Sequence, residues 1–509
     1  MNASLRRLWP CLIALLFVAL PSRAHAATLN VPSASYPTIQ SGVNASQDGD
    51  TVLVADGTYS GPGNRDIDFN GKNITVRSQN GPAKTIVDCG GSITSSHRGF
   101  YIHSGEKAAT ISGFTVKSGY ETYVSGIASS GSGGGICIIN NGNIGTITLT
   151  NCMVLGNTAS GDGGGIYNGN SYGGTIALTN CTASSNTAQD SGGGICNSNT
   201  SNYNSSGTIA LTNCTASGNT AQYNGGGILN DNFNFDSDAI IVLTNCTALG
   251  NTARYGGGGI YNGNSYGGTI ALTTCTVSGN AAPDGGGVLN ENFNTISNSS
   301  DTITLTNCTV SGNAASYGGG IFNDNFNSSN GTIVLTNCTV SRNTASKYDG
   351  GGIFNENTHA GFSYYNPNSS GTITLTNCTV SGNIAQHGGG IFNENQNIGG
   401  TITPTNCIFY KDVGGEIADD LNSTTQAIIT YSDIQGDHPG TGNINTDPQF
   451  VNAAAGDLHL KPGSPCLGAG TPNGAPATDP DGNPRPNPPS MGAYEVGFPS
   501  LRSTSHRPA

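Results

Sequence analysis

The sequence predicts an all-β solenoid, a single-stranded parallel β-helix with a short helical cap at its N-terminal end. Three observations predict it. A triple glycine begins at Gly133, Gly163, Gly192, Gly225, Gly257, Gly285, Gly318, Gly350 and Gly388, in steps of 28 to 38 residues. A period near thirty with variable padding belongs to repeats that bury their apolar faces only against one another. Segments such as 175–179 (Thr-Ile-Ala-Leu-Thr) and 372–376 (Thr-Ile-Thr-Leu-Thr) alternate apolar side chains with Thr, the period of a strand. Finally, Asn recurs at fixed offsets from the triple glycine: Asn168 to Asn393, Asn170 to Asn395, and Asn157 to Asn383, eight times each.

Each part of the repeat has a physical reason. About thirty residues hold three short strands and three turns, one rung of a coiled sheet. The triple glycine marks a corner that needs positive φ or close backbone approach. Identical amides on successive rungs, about 4.8 Å apart, can hydrogen-bond along the stack, and Asn tolerates left-handed turns. Cysteine forms a further column from Cys152 to Cys407, closing the Thr-Asn-Cys-Thr strands. Its spacing matches no zinc motif. Disulfides between neighbouring rungs are within reach in principle, and buried reduced thiols are the favoured reading. The Asn-Cys-Thr triplets match glycosylation sequons formally, but their Asn and Cys belong to the stack.

Taken in order, residues 1–26 read as a secretory signal peptide: Arg6 and Arg7, an apolar run from Cys11 to Leu20, then Ala24-His25-Ala26. Without Arg6, Arg7 and Arg23, 15 basic residues face 31 acidic ones. That balance disfavours nucleic acid and anionic membrane surfaces, and no later stretch is long and apolar enough for a membrane helix. Residues 27–125 read as an N-terminal cap and irregular first rungs. A helix begins around Tyr36 to Val43, with Pro37 near its first turn, and strands follow at 51–55, 74–77, 85–87 and 110–116. Residues 126–410 are the regular repeats, 411–496 the last rungs and a C-terminal segment, and 497–509 a disordered tail.

Tyr36-Pro37-Thr38-Ile39-Gln40, then Gly49-Asp50-Thr51-Val52 and Gly57-Thr58-Tyr59, resemble the start of the pectin-lyase-like right-handed β-helix superfamily. The resemblance implies a right-handed coil. Repeats of the form Ser-Gly-Asn-Thr-Ala followed by Gly-Gly-Gly-Ile-Phe-Asn are similar to those of polymorphic outer membrane proteins, with Gly388-Gly389-Gly390-Ile391 departing at the third small residue. Asp447-Pro448-Gln449-Phe450-Val451, Gly456-Asp457-Leu458-His459-Leu460, Asp479-Pro480-Asp481-Gly482 and Met491-Gly492-Ala493-Tyr494-Glu495 resemble the choice-of-anchor segment (Q type) that closes many bacterial surface β-helices. No apolar anchor or sortase motif follows Val496, so self-insertion is not expected.

Two candidate sites emerge, and the catalytic residues stay unknown. One is an acid column, Asp231, Glu291, Asp324, Glu356 and Glu394, broken by Gly263. It reads as a solvated acidic edge that limits self-association, as a calcium site of hard oxygen ligands, or as a carboxylate pair at glycosidase separation. The other is the variable loop after the Asn-x-Asn turn, where aromatics gather: Tyr172, Tyr266, Phe293, Phe326, Tyr364 and Tyr365. These rings either stack on sugar faces or hold the loops down. A charged cluster in the early rungs (Asp66, Asp68, Lys72, Arg77, Asp88, His97, Arg98 and His103) is the best place for catalysis. Between Gly126 and Cys407 only Arg254, Arg342 and Lys347 are basic, which suits a polysaccharide lyase poorly. The leading expectation is a secreted or cell-surface bacterial scaffold for recognition or adhesion. It binds carbohydrate or a surface protein through loops on one face, needs no cofactor unless calcium, and takes no nucleic acid. The alternatives are an extracellular polysaccharide lyase or glycoside hydrolase, or a purely structural component. The fold does not choose among them.

Overall fold

The computed structural model describes residues 26–496 apart from 124–130, 141–145, 171–173, 200–206, 233–237, 265–266, 293–300, 327–330, 359–370, 396–399 and 420–425. The leader expected over 1–26, save its last residue, and the tail expected over 497–509 lie outside the described residues. The chain coils as a right-handed parallel β-solenoid of about nine regular turns. Each turn visits three sheets in order: sheet 1 through strands such as Ile166–Asn170, sheet 2 through Gly174–Thr179 and sheet 3 through Thr182–Ser184. A two-residue bridge, Thr187–Ala188, then leads to the next triple glycine. The sheets hold 11, 14 and 13 strands, and register is kept from rung to rung, Asn168 opposite Asn197 and Thr175 opposite Thr208.

Alternation along each strand builds the core. Ile166 from sheet 1, Ile176 and Leu178 from sheet 2, and Ala183 from sheet 3 are buried in one continuous apolar column, with Cys181 at the corner. All the cysteines described are buried and unpaired. The Cys152 N–H donates to Cys181 Sγ at 3.4 Å and the Cys152 thiol donates to the Thr150 carbonyl at 3.3 Å, a pattern repeated rung after rung. The thiols thus serve the ladder as hydrogen-bonding groups, without disulfides.

The triple glycine does two jobs. Its first residue is left-handed, with φ of +65° at Gly163. A Cβ on the second or third would fall 2.6 Å from a carbonyl oxygen of the next rung, Gly193 for Gly164 and Gly194 for Gly165.

Two of the asparagine columns are buried amide chains. Asn168 Nδ2 donates to Asn197 Oδ1 at 2.6 Å, and the chain runs on through Asn230, Asn262, Asn290, Asn323 and Asn355 to Asn393. In the column from Asn157 to Asn383 both the backbone N–H and Nδ2 donate to the next Oδ1. Asp412 replaces Asn at its end, accepting from Asn383. The expected left-handed turns lie elsewhere. They fall on a further column, Asn151, Asn180, Asn213 and Asn245, and on the residue before each Asn157-type position, such as Gly156 and Ser185. A ladder amide has to aim inward, so the turn is made beside it.

At the N-terminal end the helix spans Ile39–Ala45, capped by Thr38 in a capping box with Ser41. Pro37 precedes the cap. Ile39 and Val43 join the end of the core, closing the open coil. The expected strand over 110–116 divides into Thr110–Ser112 and Thr115–Lys117 at left-handed Gly113. At the other end Phe450–Asn452 and Asp457–Leu460 form an antiparallel hairpin with its own small core of Ile408, Leu458, Cys466 and Met491. The segment beyond it folds back over the sheet 2–sheet 3 corner, where Asn337, Asn377 and Asn406 donate to the carbonyls of Thr478, Ser490 and Thr471. Arg485, paired with Glu495 at 2.7 Å, donates to Asn337 Oδ1 beneath it.

Candidate carboxylate and ring face on sheet 1

Sheet 1 strands send their first, third and fifth residues inward and their second and fourth outward. The second positions form a buried cluster of their own: Cys137, Tyr167, Cys196, Leu229, Tyr261, Leu289, Phe322, Phe354 and Phe392. Phe322 and Phe354 stack at 4.6 Å with planes 9° apart. The fourth positions bring the acid column together as the sequence places it, Asp231, Gly263, Glu291, Asp324, Glu356 and Glu394 opposite one another in register.

These carboxyls are not a solvated edge. All five are only partly exposed, because each lies between rungs and beside the ring column. The Tyr261 hydroxyl donates to Glu291 Oε2 at 3.0 Å. Burial, then the charges of Asp284 and Glu356, raises Glu291 to about 7 against the pull of that hydrogen bond. Burial and then Glu291 hold Asp324 well above the ordinary range. Burial, then Asp162 and Glu291, does the same for Asp231, whose Oδ1 is buried without a hydrogen-bond partner. Asp162, at the neighbouring corner, is raised to about 6 by burial and Asp190. Near neutral pH the face therefore mixes protonated and ionised carboxyls. The column offers at most one carboxylate per rung and none at Gly263, and among the described residues no three His, Cys, Asp or Glu side chains are grouped to hold a metal ion.

Aromatic groups missed by the sequence reading border this face. Tyr223 and Tyr255 stack at 5.3 Å, and Tyr317 and Tyr348 at 4.0 Å. Tyr223, Tyr255 and Tyr348 are 51%, 49% and 43% exposed, while Tyr317 packs against the ring column. Their signal was a Tyr one or two places before the triple glycine. Of the loop aromatics, Tyr172, Tyr266, Phe293, Tyr364 and Tyr365 lie outside the described residues. Phe326 ends the strand Ile321–Phe326, opposite Thr358.

The early-rung cluster resolves into separate small groups, and in one of them His97 Nε2 also bonds Ser95 Oγ at 3.1 Å. His97 bonds Asp66 at 2.7 Å, His103 lies 3.3 Å from Asp68, and Lys117 takes Asp88 at 3.1 Å. Arg98 is buried against Glu121 and over the Tyr101 ring. Lys72 caps the helix end through the Val43 and Asn44 carbonyls. Arg77 stands on sheet 2. Of the surface grooves, one of about 520 Å³ follows the sheet 2–sheet 3 corner past Ser78, Pro82, Asn151 and Asn180. Another of about 250 Å³ lies in the C-terminal hairpin region. Neither is on sheet 1.

Fold and face define a right-handed parallel β-helix with a ring-and-carboxyl outer sheet. No protein-family model matches the chain, and no curated protein matches it in sequence. Among solved structures it is similar to the pectate lyase Pel9A, at 13% identity over 92% of this chain and 96% of that one, with a TM-score of 0.34. It is also similar to the receptor-binding domain of the siphovirus 9NA tailspike, at 12% identity over 82% and 78% with a TM-score of 0.30. A third is the catalytic domain of a GH87 α-1,3-glucanase in complex with nigerose, at 12% over 80% and 68% with a TM-score of 0.25. Likeness this distant carries no argument about activity, and the fold rests on the strand pairing itself. Among the described residues no helix is long and apolar enough to cross a membrane.

Proposed function

We propose that this chain is a secreted or surface-held recognition scaffold that binds a neutral carbohydrate across the outer face of sheet 1 and the loops leaving it. The observation that carries this reading is the pairing of exposed, stacked tyrosines with a column of half-buried carboxyls. Flat rings present apolar faces at little entropic cost. Carboxyls poised between protonated and ionised forms both donate to and accept from hydroxyls. An acidic face on a chain of formal charge −13 repels polyuronates and other anions, so the ligand is neutral. On the sequence alone, the loop aromatics Phe326, Tyr364 and Tyr365 are assigned to the same proposed binding surface. Resemblance of the repeats to polymorphic outer membrane proteins, and of the C-terminal segment to choice-of-anchor sequences, supports display at a bacterial surface.

The test is a glycan array with the purified protein, with and without calcium, followed by Tyr255→Ala and Tyr348→Ala. Loss of one stacking ring costs about 1 kcal/mol, close to a fivefold loss of affinity. Absence of glycan binding refutes the proposal, and release of reducing ends replaces recognition with hydrolysis.

A further inference from the structure

Sheet 2 turns a different surface to solvent. From Thr146–Thr150 to Thr401–Thr405 its nine regular strands pair in register, so their outward side chains form three straight columns. The last column is threonine in all nine rungs, Thr150 through Thr405. The first is threonine in eight, with Ile240 the exception, and the middle is Thr, Ala or Val. No charged, amide or aromatic side chain occupies any of these positions, on a chain whose formal charge is −13. Sheet 3 repeats Thr-x-Ser, but the C-terminal segment covers its later rungs, leaving Thr339 4% and Thr379 1% exposed. Among the described residues no segment crosses the outer face of sheet 2, whose outward side chains are partly or fully exposed.

The geometry of this surface is fixed. β-Branching restricts χ1, so methyl and hydroxyl repeat with the backbone. Rungs repeat at about 4.8 Å along the axis and alternate residues at about 6.7 Å along the strand. Among the described residues, hydrogen bonds between hydroxyls of this face lie at its ends: Thr150 to Ser112 at 2.8 Å, Thr374 with Thr403 at 3.0 Å, Thr405 with Thr430 at 3.2 Å, and Thr401 to Thr372 at 3.5 Å. From Thr175 to Thr336 the hydroxyls have no such bond and keep the spacing of the rungs.

An uncharged occupant is required, since this face offers nothing to a polyelectrolyte. A sugar polymer would meet no ring to stack on. What the columns do match is water in an ordered lattice. In the rungs from Thr175 to Thr336 the middle column is Ala or Val except at Thr304, so hydroxyls repeat at about 4.8 Å along the axis and stand about 13 Å apart along the strand. These spacings fall close to oxygen repeats on the faces of hexagonal ice, with methyls filling the space between. We propose that sheet 2 is an ice-binding face. Its hydroxyls take oxygen positions of the lattice, and its rigid methyls order the first water layer before contact.

The experiment uses the intact protein, fluorescently labelled, in ice-affinity partition and in nanolitre measurement of the gap between melting and freezing points. The wild type is expected to enter growing ice and to open that gap. Thr244→Lys, in the interior of the unbroken column, is expected to reduce both severalfold with an unchanged melting curve. Lys347→Ala, on a distant corner, is expected to leave both intact. Exclusion of the wild type from ice overturns the proposal, as does full activity in Thr244→Lys. Adsorption to powdered crystalline cellulose or chitin in place of ice, lost in the same variant, also overturns it by giving the face to a polysaccharide. Neither assay involves sheet 1, so failure here is separable from failure of glycan recognition.

Discussion

Replacing Asn219 with alanine should damage the solenoid far more than the same change at Asn180. Asn219 is fully buried. Its Oδ1 accepts from both the backbone N–H and Nδ2 of Asn186 at 3.0 Å, and its Nδ2 donates to the Ala183 carbonyl at 3.0 Å and to Asn251 Oδ1 at 2.9 Å. Alanine leaves the Asn186 N–H without that acceptor and the Ala183 carbonyl without that donor, and it opens an amide-sized void. One buried unsatisfied group costs about 1–3 kcal/mol, so a loss of about 3 kcal/mol is expected. Asn180 also bonds two asparagines, donating to Asn151 at 3.1 Å and accepting from Asn213 at 3.0 Å, but it is exposed. There water replaces the lost partners, and the cost is the left-handed backbone at φ +53°, about 1 kcal/mol. Urea unfolding followed by circular dichroism reads the difference, with hydrogen exchange at the flanking rungs guarding against local unfolding in a long repeat array. Equal losses in the two variants would refute the claim that burial gives the ladder its value.

Packing and burial set three further expectations. Gly194→Ala places a Cβ 2.5 Å from the Gly227 carbonyl oxygen and 2.8 Å from Asn219 Nδ2. It should cost about 1–3 kcal/mol as overpacking, above the roughly 1 kcal/mol of Gly218→Ala, whose Cβ meets nothing closer than 3.9 Å. Glu291 is raised from 4.5 to about 7 in the folded chain, so the folded state binds its proton more tightly. Its contribution favours folding more as pH falls through 7 and is complete below about 4.5. The melting temperature should rise across that window, less so in Glu291→Gln. Arg485→Ala leaves the buried Glu495 without its partner, which typically costs about 3–5 kcal/mol. Hydrogen exchange should then show residues 465–495 released from the corner while the solenoid melts as before.

Period-two alternation and the triple-glycine spacing made the solenoid legible, since both are strictly local. The acid column was legible for the same reason, because a constant offset becomes a constant register. Its environment was not. Whether Asp231 stands in water depends on the ring column next to it, Tyr261 above all, and the residues of that column vary in type from rung to rung. The tyrosine pairs were missed because their distance from the triple glycine shifts: Tyr317 directly precedes Gly318, whereas Tyr223 and Tyr348 stand one place further off. The left-handed asparagines were hidden among the sequons, where Asn180 and its equivalents read as part of a strand. The docked C-terminal segment joins Arg485 to Asn337, 148 residues apart, a pairing no local pattern announces.

A repeat protein tests each position several times over, and this decides how its surfaces are read. Inward residues are held alike by the core, so uniformity there says nothing about function. Outward residues carry no such constraint. On sheet 1 the fourth residues change from Gly169 and Ser198 through Asp231 and Gly263, then stay carboxylates from Glu291 to Glu394. On sheet 2 the outward residues remain Thr, Ala, Val or Ile through nine rungs. Strand propensity alone prefers β-branched residues but equally admits Tyr, Phe and Trp, and none appears. It also draws no distinction between Thr and Val, which differ by one hydroxyl. Thr244→Val therefore separates the two explanations. Propensity predicts a silent change in every assay, whereas lattice matching predicts unchanged stability with weakened ice adsorption.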